Sequence, residues 1–235
     1  MLLMRMNSLK SRLPLELEAA IMMKLQRQKG PAVALSEKLR VGRYATSGNT
    51  CEEFFQRGEA TNMTASILED KRILAVDDET DVLDTLQELL ADYKSLVFDR
   101  ATDYESGFHL LRSWTYDAVI LDISGVRGFD LLAISVRLGF PTVMLTAHAL
   151  SVAALKQSIE MGARAYIPKE KMIDIAAFLE DVITLEHSSN LKKMLQRLGG
   201  VFNKKFGSRW MEDEKTFWAQ VTSGTYEPNP IILKK

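Results

Sequence analysis

The stretch Arg72-Ile-Leu-Ala-Val-Asp-Asp78 decides how this chain reads. Four apolar residues, Ile73 to Val76, follow Lys71-Arg72 without a polar break and stop at two adjacent carboxylates, with Glu79 behind them. That is the profile of a parallel strand buried on both faces. In open α/β sheets ligands collect beyond the carboxyl ends of the strands, so Asp77 and Asp78 would meet a cation or a phosphate there. The plainer use of the same acids is to cap the following helix, whose dipole favours negative charge at that end.

Outward from this stretch, apolar runs alternate with amphipathic ones. Residues 80–93 place Val82, Leu83, Leu86, Leu89 and Leu90 on one helical face, and 96–98 form a short strand. A second helix is expected over 103–114. Residues 116–122 repeat the opening device, an apolar run ending in Asp122. A helix over 128–138 follows, then a strand over 141–146 that ends in the hydroxyl of Thr146. A helix over 150–161, a strand over 164–167 ahead of Pro168-Lys169, and a helix over 172–185 close the set. Strands alternating with helices predict an α/β, flavodoxin-like fold, a five-stranded parallel sheet in the order 2-1-3-4-5. Right-handed crossovers then bring Asp77, Asp78, Asp122, Thr146 and Lys169 to one edge. Three clustered carboxylates repel one another unless a cation neutralises them, and hard oxygen ligands with room for water suit Mg²⁺. A hydroxyl and an ammonium opposite them are what a phosphoryl group would need.

With these pieces in order, residues 71–186 resemble a receiver domain of the two-component response-regulator family. The resemblance rests on Ile73-Leu-Ala-Val-Asp-Asp-Glu79, Asp117-Ala-Val-Ile-Leu-Asp122, Gly128-Phe-Asp-Leu-Leu132, Val143-Met-Leu-Thr-Ala147 and Gly162-Ala-Arg-Ala-Tyr-Ile-Pro-Lys169. It implies Asp122 as the acceptor of a phosphoryl group from a histidine kinase or phosphotransfer protein. It implies Asp77, Asp78 and Asp122, with the backbone carbonyl of Ser124, as the Mg²⁺ ligands. Thr146 and Lys169 would hold the phosphoryl oxygens, and Tyr166 would be the aromatic that follows the switch. The readout would be an unnamed downstream protein, contacted through the face formed by the fourth helix, fifth strand and fifth helix. On this reading the chain is no enzyme beyond promoting its own phosphorylation and dephosphorylation. Ser124 and His148 stand where the family varies its dephosphorylation rate. The chain departs from the pattern at Val126, where the family usually has proline, and at Gly128, which arrives two residues early, so the loop 123–127 is short. Glu170 follows Lys169 where proline is common.

The remaining sequence bounds the rest. Lys and Arg number 30 against 31 acids, a net charge of −1, so no global field favours nucleic acid or a membrane. The single cysteine, Cys51, has no internal partner, no apolar run of about 18 residues exists, and Met1-Leu-Leu-Met-Arg-Met6 is too short for a secretory signal. A cytoplasmic location is expected. Residues 1–70 read as an extension, partly helical or disordered, with a helix over 13–28, a shorter one over 32–40 and a loop over 41–62. A helix-turn-helix reading of 35–43 meets Gly48 inside its second helix, at a cost of about 1 kcal/mol against Ala.

Residues 187–235 read as a helical extension. A break and cap at His187-Ser-Ser-Asn190 leads into a helix over 191–198 that Gly199-Gly200 is expected to stop. Aromatics interleaved with Lys and Arg over 201–218 suit single-stranded nucleic acid or, more simply, docking on the chain's own domain or a partner; Glu212-Asp-Glu214 dilutes the charge and favours docking. Two other classes compete with the regulator reading. A haloacid-dehalogenase-like aspartyl-phosphate hydrolase shares strand-end acids, but Ser124 stands where its second Asp belongs. A DNA-binding regulator would use one of the terminal extensions.

Overall fold

The computed structural model describes residues 66–147 and 151–228. The expected helices over 13–28 and 32–40, the loop over 41–62, Cys51 and His148 lie outside the described residues. Five parallel strands, β1 (Arg72–Val76), β2 (Val97–Ala101), β3 (Ala118–Asp122), β4 (Thr142–Thr146) and β5 (Ala165–Pro168), form one sheet in the order β2-β1-β3-β4-β5. The fold is the flavodoxin-like one. Its register aligns Val76 with Ala101 on one side and Leu121 on the other, so the acids that follow β1 and end β3 emerge side by side. β3 and β4 are buried throughout, as their unbroken apolar runs require.

Helices cover both faces. α1 (Thr80–Leu89) buries Val82, Leu83, Leu86 and Leu89 at the spacing that reads as one face. α2 (Tyr104–Ser113) is capped by Asp103, whose carboxylate accepts from the Ser106 N–H, and α4 (Val152–Glu160) by Ser151, whose hydroxyl accepts from the Ala154 N–H. α3 (Gly128–Arg137) begins beside the carbonyl of Asp122, 1.9 Å from where a Cβ on Gly128 would lie. Only glycine fits there, and that is how the short loop closes. A 3₁₀ turn (Lys169–Asp174) precedes α5 (Ile175–Thr184), where a single helix was expected over 172–185.

The tail departs from expectation. Gly199-Gly200 does not stop the helix: α6 runs unbroken from His187 to Phe206. Two helical glycines cost about 1 kcal/mol each against Ala. The stripe of Leu191, Met194, Leu195, Leu198 and Phe202, buried along the whole length, outweighs that. His187 and Ser188 are inside the helix rather than a break before it, and the chain turns at Leu185-Glu186 instead. Burial, with the Arg164 charge beside it, pushes the His187 imidazole down to about 4.

α6 lies along the outer edge of β5. Asn190 Nδ2 donates to the Arg164 carbonyl at 2.6 Å and the Tyr166 N–H donates to Met194 Sδ at 3.1 Å. An exposed strand edge is thereby covered. Lys193 and Arg197 both pair with Asp181 of α5, at 2.6 and 2.7 Å. α7 (Lys215–Ser223) returns beside α6, and Lys156 of α4 meets Glu214 at its start, 2.5 Å away. Between them the aromatics of the tail stack edge to face, Phe202 on Trp210 at 5.9 Å and Trp210 on Trp218 at 4.7 Å. The tail therefore docks on its own domain. It occupies the α4–β5–α5 face, which the sequence had left open for a downstream protein. Among the described residues no helix is long and apolar enough to cross a membrane.

Candidate functional site

Five of the expected side chains meet at the carboxyl edge of the sheet, and Lys169 lies at their centre. Its ammonium is 3.0 Å from Asp122 Oδ1, 3.0 Å from Asp77 Oδ1 and 3.0 Å from Glu79 Oε1. Asp77, Asp122 and Thr146 are almost wholly buried, and Lys169 nearly so. Buried charges persist only when paired, and one ammonium here serves three carboxylates. The balance is visible in their acidities. Burial pushes the Asp77 carboxyl up to about 6, Lys169 pulls it down and Asp122 pushes it further up. Burial works against the Lys169 charge, but Asp77 and Asp122 hold its pKa above the usual lysine range.

Each carboxylate is also fixed by the backbone. Asp77 Oδ1 accepts the Glu79 N–H at 3.0 Å, and Asp122 Oδ2 accepts the Ser124 N–H at 2.7 Å. The capping use of these acids is not what the structure adopts: Glu79 occupies the N-cap of α1 but makes no side-chain cap bond. It turns toward Lys169 instead. Glu79 is the site residue that sequence reasoning left out; its adjacency to the acidic pair was the only signal.

One oxygen each from Asp77, Asp78 and Asp122 lies within 4.8 Å of the others. Asp77 Oδ2 is buried and lies 2.8 Å from the Lys169 ammonium. Three carboxylates this close, two of them buried, make a hard-oxygen donor set that fits a divalent cation. Asp78 is the exposed member and faces the loop after β3. A Cβ on Gly125 would come within 2.1 Å of the Asp78 carboxyl carbon. The loop thus closes over Asp78, and glycine is what lets it. Ser124 is exposed, and its carbonyl accepts the Arg127 N–H at 3.1 Å, which leaves one lone pair for another partner. Val126, in the usual place of proline, is fully buried. Arg127 takes a left-handed backbone, φ 54°, with its guanidinium 4.3 Å over the Tyr104 ring and paired to Asp130.

Thr146 ends β4 on the side of the site away from β1. Tyr166, on the neighbouring strand β5, is fully buried; burial pushes its phenol up to about 12, while the Ser151 backbone and the Thr146 side chain pull it down. Its ring packs on Phe202 of α6, centroids 6.4 Å apart.

Comparison with known proteins gives a family for this part of the chain. Residues 73–180 match the family model described as the response regulator receiver domain. No curated protein matches the chain. Among solved structures, a CheY-like response regulator receiver domain protein from Methanospirillum hungatei JF-1 is 25% identical, covering 55% of this chain and 94% of its own, with a TM-score of 0.39. A response regulator from Hahella chejuensis is 23% identical, covering 49% of this chain and 96% of its own, with a TM-score of 0.44. The family match spans all five strands and the four strand-end positions from Asp77 to Lys169, and residues 73–180 of this chain are a response regulator receiver domain.

Proposed function

We propose that this chain is the response regulator of a two-component phosphorelay, with Asp122 the phosphoacceptor and a histidine kinase or phosphotransfer protein the donor. The observation that carries this reading is the ammonium of Lys169 at 3.0 Å from Asp122 Oδ1, with Asp77 and Asp78 beside them. Asp122 Oδ attacks the phosphorus in line, its O–P bond forms as the P–N bond of the phosphohistidine breaks, and the imidazole leaves with the electron pair. Lys169 would turn from three carboxylates to the transferring oxygens, and the Thr146 hydroxyl would donate to one of them.

Asp77, Asp78 and Asp122 would hold Mg²⁺, with the Ser124 carbonyl as a fourth ligand. The ion, when bound, supplies positive charge that offsets the acids and the incoming phosphoryl oxygens. The chemistry ends on the chain's own side chain, so the role proposed is signalling by protein contact in the cytoplasm rather than turnover of a metabolite. The test is transfer from a phosphorylated kinase or phosphotransfer domain. Replacement of Lys169 by Met is expected to slow transfer by roughly 10- to 100-fold while Mg²⁺ still binds. Transfer unchanged by that replacement would contradict the role given to the ammonium.

A further inference from the structure

The turn that joins the receiver to its tail is built around a histidine. α5 ends at Thr184, α6 begins at His187, and Arg164 clasps the two helices. Its guanidinium donates to the carbonyls of Val182 and Leu185, both at 3.0 Å, and its own carbonyl accepts from Asn190 Nδ2 at 2.6 Å. His187 falls between those contacts, and its Nε2 is buried with no hydrogen-bond partner. Among the described residues, the charge that bears on the imidazole is that same Arg164 guanidinium. Neither nearby carboxylate offsets it: Asp181 of α5 is taken by Lys193 and Arg197, at 2.6 and 2.7 Å, and Glu186 is exposed. From this arrangement we infer that His187 is a pH-sensitive hinge: a proton on its imidazole loosens α6 and α7 from the receiver and uncovers the outer edge of β5.

The sign follows from where the proton must go. A protonated imidazole has two N–H donors and a full charge. In the docked tail the N–H at Nε2 would lie in a sealed place without an acceptor, beside a guanidinium of the same sign, and both features oppose it. Once α6 undocks, the imidazole meets water and titrates at its ordinary value of 6.5, against about 4 in the docked tail. Docking is therefore at full strength above pH 6.5 and is lost as pH falls toward 4. It weakens by about tenfold per unit, which reaches roughly 30-fold at pH 5. At neutral pH the apolar stripe from Leu191 to Phe202 keeps the tail in place.

The inference does not depend on the phosphoacceptor reading, and its test leaves the site untouched. Hydrogen exchange of the full chain is followed at pH 7.5, 6 and 5, with protection factors corrected for the intrinsic pH dependence of exchange. Amides of β3, at the centre of the sheet, report opening of the whole domain. Protection of α6 is expected to fall by about 30-fold from pH 7.5 to 5, and to stay below that of β3 throughout. In His187→Gln, which cannot take up the proton, it is expected to change by less than about threefold. A flat α6 profile in the wild type, or one that falls as far in His187→Gln, would overturn the hinge. Equal protection of α6 and β3 at pH 5 would also overturn it, because the tail would then open only with the whole domain. If His187→Gln fails to fold, the wild-type profile of α6 against β3 decides.

Discussion

Gly125 and Asp77 show how closely the site depends on single atoms. A methyl group on Gly125 would overlap the carboxylate of Asp78, and Asp78 is the exposed member of the three acids, so it has room to swing away. Gly125→Ala should therefore leave global stability within about 0.5 kcal/mol and weaken Mg²⁺ binding by roughly tenfold or more, measured by denaturation beside cation titration. Asp77 carries the opposite lesson. Its carboxyl titrates near 6 in the folded protein against 3.8 ordinarily, so the folded state holds that charge at a cost. The cost is full above pH 6 and fades as pH falls toward the ordinary value. Asp77→Asn in chelator should thus stabilise the fold by on the order of 2 kcal/mol at pH 7.5, with the gain shrinking between pH 6 and 4 in urea titrations. Of these two residues, only Asp77 was legible in the sequence. A glycine in a loop carries no mark of the carboxylate it lies against, because that approach exists only once β1 and β3 are paired.

At the scale of elements, sequence periodicity located the strands and helices of the receiver and erred where packing overrides local preference. Gly199-Gly200 is the clearest case. Local propensity ends a helix there, yet the apolar stripe continues at Phe202, one turn beyond Leu198, and the helix follows the stripe. Nothing lies within 4 Å of a Cβ at either glycine. Gly199→Ala and Gly200→Ala should each raise stability by about 0.5–1 kcal/mol in chemical denaturation, and an unchanged or lowered midpoint would mean that α6 is not helical there in solution. The 3₁₀ turn after Lys169 was also illegible. Lys169 must turn in toward Asp77 and Asp122, and that tertiary demand, rather than any residue preference, sets where α5 begins.

For the molecule as a whole, the strand-end residues were legible because they are spaced by whole βα units, and a fixed topology converts that spacing into proximity. The covering of β5 was not legible. Leu191, Met194, Leu195, Leu198 and Phe202 show that α6 has a face to bury, but not what the face meets; Asn190 and Met194 acquire their meaning only at the edge of β5. Everything proposed for the site depends on Asp122 accepting a phosphoryl group. It is tested most directly by intact mass after incubation with Mg²⁺ and a small phosphodonor such as acetyl phosphate, wild type beside Asp122→Asn. One phosphoryl adduct is expected on the wild type and none on the variant. An adduct on both, or on neither while Mg²⁺ still binds, would contradict it.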